Sequence, residues 1–142
     1  LIERKSLSGP RVSMVDHGTP VYEVNRVREQ VGASLCKILN YSDSGFSTCS
    51  MERRDGDLYS FNEPLLEGLL MKWGKEGVRE VVVALFFLLS GRHAGKGGDL
   101  AKICENASAL FPQMKIYQTN PMAEHEIVFS ILKEKLEVFI SR

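Results

Sequence analysis

Val81-Val82-Val83-Ala84-Leu85-Phe86-Phe87-Leu88-Leu89 is apolar at every position, and Ser90-Gly91-Arg92-His93-Ala94-Gly95-Lys96-Gly97-Gly98 follows it directly. A strand apolar throughout is buried on both faces, as a parallel sheet with helices on each side requires. The run is about half of what a membrane span needs. The glycine-rich stretch behind it then falls outside a carboxyl strand end, where such sheets bind ligands.

Upstream, Asn62-Glu63-Pro64 reads as a helix start, with a capping residue, early negative charge and Pro in the first turn. Leu65, Leu66, Leu69, Leu70 and Trp73 form its buried stripe, and Gly74 to Gly77 ends it. Arg53 to Tyr59 is charged and turn-like, Phe46 to Met51 a second strand, and Asn40 to Gly45 a polar loop. From Tyr22 to Leu39, Val24, Val27, Val31, Leu35, Ile38 and Leu39 recur at helical spacing. Arg11 to Val15 is a first strand that ends at Asp16-His17-Gly18, behind a flexible lead-in from Leu1 to Pro10. Downstream come a helix from Leu100 to Phe111, a strand from Met114 to Tyr117, and a closing helix from Ala123 to Ile140. The order β-α-β-α-β-α-β-α predicts one domain over residues 11–142. Its fold class is α/β, a doubly wound, mostly parallel four-stranded sheet with helices on both faces.

The 142 residues carry 18 basic and 18 acidic side chains, a net charge of zero. That argues against a nucleic-acid or anionic-membrane binder, which needs a basic surplus. Cys36, Cys49 and Cys104 form no CxxC pair and read as inert thiols in a reducing compartment, cytoplasm or plastid stroma. The chain opens at Leu1 rather than Met, as a processed protein or one part of a longer polypeptide does, and shows no intact signal peptide.

All three histidines fall in or beside strand-end loops: His17 after the first strand, His93 after the third, His125 after the fourth. A lone histidine there ordinarily caps a backbone carbonyl. Two from one sheet, with Glu52 from the end of the second strand, make a donor set suited to Fe²⁺ or Co²⁺, and neutral imidazoles also accept protons. Arg53, Arg54, Arg92 and Lys96 surround the same ends and offer cationic partners for a polycarboxylate. The glycine-rich loop lacks the spacing of a P-loop or of a dinucleotide fingerprint, so no nucleotide is expected.

Val15-Asp16-His17-Gly18-Thr19 with Asn25-Arg26, Glu63-Pro64-Leu65-Leu66 before Gly77-Val78-Arg79-Glu80-Val81-Val82-Val83, and Phe86 through Gly91-Arg92-His93 together resemble the small sirohydrochlorin chelatases of the CbiX type. The resemblance runs from about Val12 into the closing helix. It implies ATP-independent insertion of Co²⁺ or Fe²⁺ into sirohydrochlorin or a related tetrapyrrole. His17 and His93 would be metal ligands and proton acceptors, Glu52 an acidic partner, and Arg53, Arg54, Arg92 and Lys96 contacts for the ring carboxylates. It also implies that two such domains pair, as a homodimer, as tandem halves, or within a larger assembly.

Three departures from the family pattern stand out. Ala94 to Leu100 replaces an acidic-Ile-Pro segment, Arg53 to Phe61 is extra, and Glu126 rather than Pro follows His125. The competing reading is a non-catalytic chelatase-like module that binds a tetrapyrrole or metal, or serves as a structural subunit.

Overall fold

The computed structural model describes residues 7–42 and 44–141. The strands are β1 (Arg11–Asp16), β2 (Phe46–Ser50), β3 (Glu80–Leu85) and β4 (Lys115–Gln118). The helices are α1 (Tyr22–Ile38), α2 (Leu66–Lys75), α3 (Asp99–Leu110) and α4 (Glu126–Ile140), with 3₁₀ turns at Asp57–Asn62 and Met122–Glu124. One sheet of order β2-β1-β3-β4 forms, and every strand pair in it is parallel. The doubly wound α/β expectation holds.

Right-handed crossovers place the helices. The chain moves one way from β1 to β2 and the opposite way from β2 to β3 and β3 to β4, so α1 lies on one face and α2 and α3 on the other. The larger core packs Val15, Val81, Val83 and Leu85 against Leu66, Leu70 and Trp73 of α2 and Leu100 and Cys104 of α3. The smaller core joins Val12, Met14, Phe46 and Val82 to Leu35 of α1.

Four local expectations change. The apolar run leaves the sheet after Leu85, and Leu88 and Leu89 are exposed. β1 has ended, so these backbone groups pair elsewhere: Met122 and Ala123 N–H donate to the carbonyls of Phe87 and Leu88. Asn62 caps no helix. Its side chain accepts from the Thr19 N–H at 2.9 Å and donates to the Thr19 carbonyl at 2.9 Å, while α2 begins at Leu66. Helix α1 turns Asn25, Arg28 and Gly32 toward the sheet and leaves Val24, Val27 and Ile38 exposed. A Cβ on Gly32 would meet Thr48 Cγ2 at 2.1 Å, so this glycine sets how closely α1 can approach. The closing helix starts at Glu126, because the His125 ring nitrogen Nδ1 accepts from the Ile127 N–H and caps it.

Of the expected lead-in, residues 1–6 lie outside the described residues. Ser8 N–H donates to Glu80, the Pro10 carbonyl accepts from the Tyr41 hydroxyl at 2.8 Å, and Leu7 packs on the smaller core.

Candidate functional site at the carboxyl ends of the sheet

β1 and β3 are neighbours, and the chain leaves them in opposite directions, so their carboxyl ends flank the switch point of the sheet. His17 follows β1 and His93 ends the first part of the loop after β3. Their rings meet edge to face with centroids 4.7 Å apart.

A buried polar frame holds the His17 turn. The Asp16 carboxylate accepts from the Gly18 N–H at 3.1 Å and from the Ser50 hydroxyl at 2.8 Å. Arg28, 1 % exposed, bonds to Ser50 and Asp16, and donates to the Asn62 carbonyl at 3.2 Å. Such a buried cation is tolerable only because its donors are matched by a carboxylate and carbonyls. Gly18 has φ +95°, and a Cβ there would lie 1.9 Å from the Glu52 carbonyl oxygen. Only glycine fits.

His17 Nδ1 lies 3.2 Å from the Gly18 carbonyl, and its Nε2 lies 3.5 Å from Glu52 Oε1. His93 Nδ1 lies 2.8 Å from Asp99 Oδ2. A carboxylate only accepts, so the Asp99 pairing places the proton of a neutral His93 ring on Nδ1 and its lone pair on Nε2, whereas His17 meets an acceptor at each ring nitrogen. The glycine-rich loop serves its own closure. A Cβ on Gly98 would sit 2.5 Å from the Arg92 carbonyl oxygen, and one on Gly95 2.5 Å from that of Gly91. The tight loop delivers Asp99, the first residue of α3, to His93.

A recess of about 290 Å³ is lined by His17, Gly18, Thr19, Glu52, Arg53 and Arg54, among others. The cations differ in availability. Arg53 is tied down, with Nε on Glu63 at 2.7 Å and NH1 on the carbonyls of Arg54 and Gly56. The Arg54 guanidinium lies over the Tyr59 ring at 5.8 Å. The Arg92 side chain is exposed across the site, and Lys96 is exposed on the same loop. His125 stands apart as the α4 cap. Among the described residues, no group of three or more His, Cys, Asp or Glu side chains forms a preformed ion cage.

A profile of the CbiX family matches residues 12–138. The chain belongs to the CbiX family. Among solved structures, it is similar to the sirohydrochlorin chelatase SirB from Bacillus subtilis subspecies spizizenii in complex with cobalt. The TM-score is 0.66 at 20 % identity, over 90 % of this chain and 50 % of that one. The CbiX chain described here therefore spans half the length of that relative. No curated protein sequence matches it. The likeness to SirB bears on the fold, and the parallel sheet agrees with it.

Of the residues expected from sequence, the fold brings His17, His93 and Glu52 together, and Asp99, Arg28 and Asn62, which hold these loops, were not expected there. Asp99 had a faint signal, an acidic residue just before an apolar helix. Arg28 had none, since a charged residue on a helix ordinarily faces solvent, and Asn62 read as a helix cap.

Proposed function

We propose that this CbiX-family domain inserts a divalent metal ion, Co²⁺ or Fe²⁺, into sirohydrochlorin or a closely related polycarboxylated tetrapyrrole, without a nucleotide. The observation that carries the reading is the placement of two imidazole rings in contact and one carboxylate at the switch point of the sheet. Two ligand atoms bound tetrahedrally by bonds of about 2.0–2.2 Å stand about 3.4 Å apart. His17 Nε2 and Glu52 Oε1 are 3.5 Å apart. They suit an ion that must be held and then released.

In this reading the ion is substrate, and an incomplete donor set is an advantage. A closed cage would retain the metal, whereas two ligands leave positions for water and then for the ring nitrogens. Insertion replaces two pyrrole N–H protons with one divalent ion, so two protons must leave. His93, whose ring centroid lies 4.7 Å from that of His17, supplies a base beside the His17–Glu52 pair. Its ring is fixed through Nδ1 by Asp99, as carboxylates orient ligating histidines in metal sites. Arg54, Arg92 and Lys96 would meet the ring carboxylates, and Arg53 would shape the recess through its bonds to Glu63 and its own loop.

The test is an anaerobic absorbance assay with sirohydrochlorin and Co²⁺ or Fe²⁺, run beside a His17→Ala/His93→Ala variant. Metallation faster than with the variant or with buffer is expected. A ring spectrum that shifts on binding without metallation above background would replace the enzyme by a tetrapyrrole-binding module.

A further inference from the structure

Between β2 and α2 the chain carries the extra stretch Arg53 to Phe61. The stretch is braced at both ends. At its start, the Arg53 guanidinium donates to Glu63 at 2.7 Å and to the carbonyls of Arg54 and Gly56. At its end, Asn62 Nδ2 donates to the Tyr59 carbonyl at 3.1 Å and to the Thr19 carbonyl at 2.9 Å, and Arg28 donates to the Phe61 carbonyl. The residues that hold the His17 turn therefore hold this loop as well.

Its aromatic rings make a row of edge-to-face contacts that starts on α1. Tyr22, the first residue of that helix, meets Phe61 with centroids 5.5 Å apart, and Phe61 meets Tyr59 at 6.4 Å. The Arg54 guanidinium lies over the last ring of the row, that of Tyr59. Arg54 lines the recess with His17 and Glu52, yet its side chain has no hydrogen bond or ion pair to any described residue. A guanidinium resting on a ring face keeps the donors along its edge free. One two-pronged cation is thus held, unpaired, beside Glu52.

At about 290 Å³ the recess is too small for a whole tetrapyrrole and admits one edge of it. A ring carboxylate brought there meets the Glu52 carboxylate, and the like charges repel. A propionate side chain can swing its carboxylate out to water. An acetate carries its carboxylate a single methylene from the ring and cannot turn away, so it needs a cation at that place. We propose that Arg54, steadied by Tyr59, is the specificity element of the site: it pairs with an acetate carboxylate at the entering edge and so selects tetrapyrroles that carry acetate as well as propionate groups. The inference rests on the tetrapyrrole reading above and adds which feature of the ring this chain reads.

The experiment measures dissociation constants of metal-free rings on the full chain, read from the rings' own fluorescence. Sirohydrochlorin and uroporphyrin carry an acetate and a propionate on every pyrrole unit, whereas coproporphyrin carries only the propionates. Arg54→Gln should weaken the first two roughly tenfold, the loss expected of a charged hydrogen bond, and coproporphyrin by at most about threefold. Arg54→Lys, a point charge without the fork, should recover only part of the loss. Tyr59→Leu should weaken the acetate-bearing rings by roughly two- to fivefold, while Tyr59→Phe keeps the ring face and should keep the affinity. Co²⁺ retention by the ring-free Arg54→Gln domain should not fall, because removing a cation beside Glu52 does not weaken the binding of another cation. Equal losses for all three rings would overturn the selection, and unchanged affinities would overturn the contact. Lower Co²⁺ retention would make Arg54 a support of the loop and overturn its role toward the ring. A wild type that binds none of the rings would overturn the tetrapyrrole reading itself, and this inference with it.

Discussion

His93 Nδ1 and Asp99 Oδ2 lie 2.8 Å apart across a loop that closes through glycines. The Asp99 carboxylate decides which nitrogen of His93 faces the site. Asp99→Asn keeps the shape, yet its amide presents either a donor or an acceptor to Nδ1, so the tautomer is no longer imposed. Metal affinity or insertion rate should fall by about 10–100-fold, as for other carboxylates that orient ligating histidines. Imidazole nitrogen shifts in NMR should show mixed His93 tautomers. Unchanged rate with unchanged shifts would remove Asp99 from the site.

Glu52→Gln tests the other half. The amide keeps an oxygen near His17 Nε2 but loses the charge, so Co²⁺ retention by the domain alone should weaken. Competition with a chelating dye measures this. An unchanged affinity would leave the histidines as the only anchors and turn Glu52 into a loop residue.

Arg28→Met is expected to destabilise the fold by about 3–5 kcal/mol, the cost of leaving buried partners of a removed charge unmatched. Asp16, Ser50 and the Asn62 carbonyl would all lose that partner. Urea denaturation reports the loss. If the midpoint stays within error of wild type, the buried frame does not hold the His17 turn.

Gly18→Ala should separate function from stability. The added Cβ collides with the Glu52 carbonyl and must adopt a left-handed backbone, at a cost of roughly 1–3 kcal/mol. The displaced groups are His17 and Glu52 themselves, so insertion should suffer far more than melting. Equal insertion rates for variant and wild type would contradict the placement of the site.

Burial pushes the thiols of Cys49 and Cys104 from 9.0 up to about 12. A thiol whose folded value is raised adds stability below its unfolded value and loses it as pH rises through the folded one. The alkaline loss should therefore fall between about pH 9 and 12, and it should be shallower in Cys49→Ala/Cys104→Ala. Guanidinium midpoints taken against pH would show the difference. Parallel slopes would assign the alkaline loss to other groups.

The sequence alone was enough for the layer architecture. A continuous apolar run such as Val81 to Leu85 has no stable place except between two helical layers, and strands alternating with helices leave little choice but a parallel sheet. It was also enough to put His17 and His93 in the loops that follow β1 and β3, because the alternation of apolar runs with polar, glycine-rich stretches is local. Which helix face meets the sheet was decided only in three dimensions. The valines of α1 had the right period, yet Gly32 allows the closest approach and Arg28 has a partly buried carboxylate to meet. Periodicity cannot weigh a long-range ion pair. The end of β3 at Leu85 likewise depended on where β1 stopped, and the His93–Asp99 contact depended on how tightly a glycine-rich loop folds. Contacts between residues distant in sequence are set by what the rest of the chain leaves unpaired, and no local pattern records that.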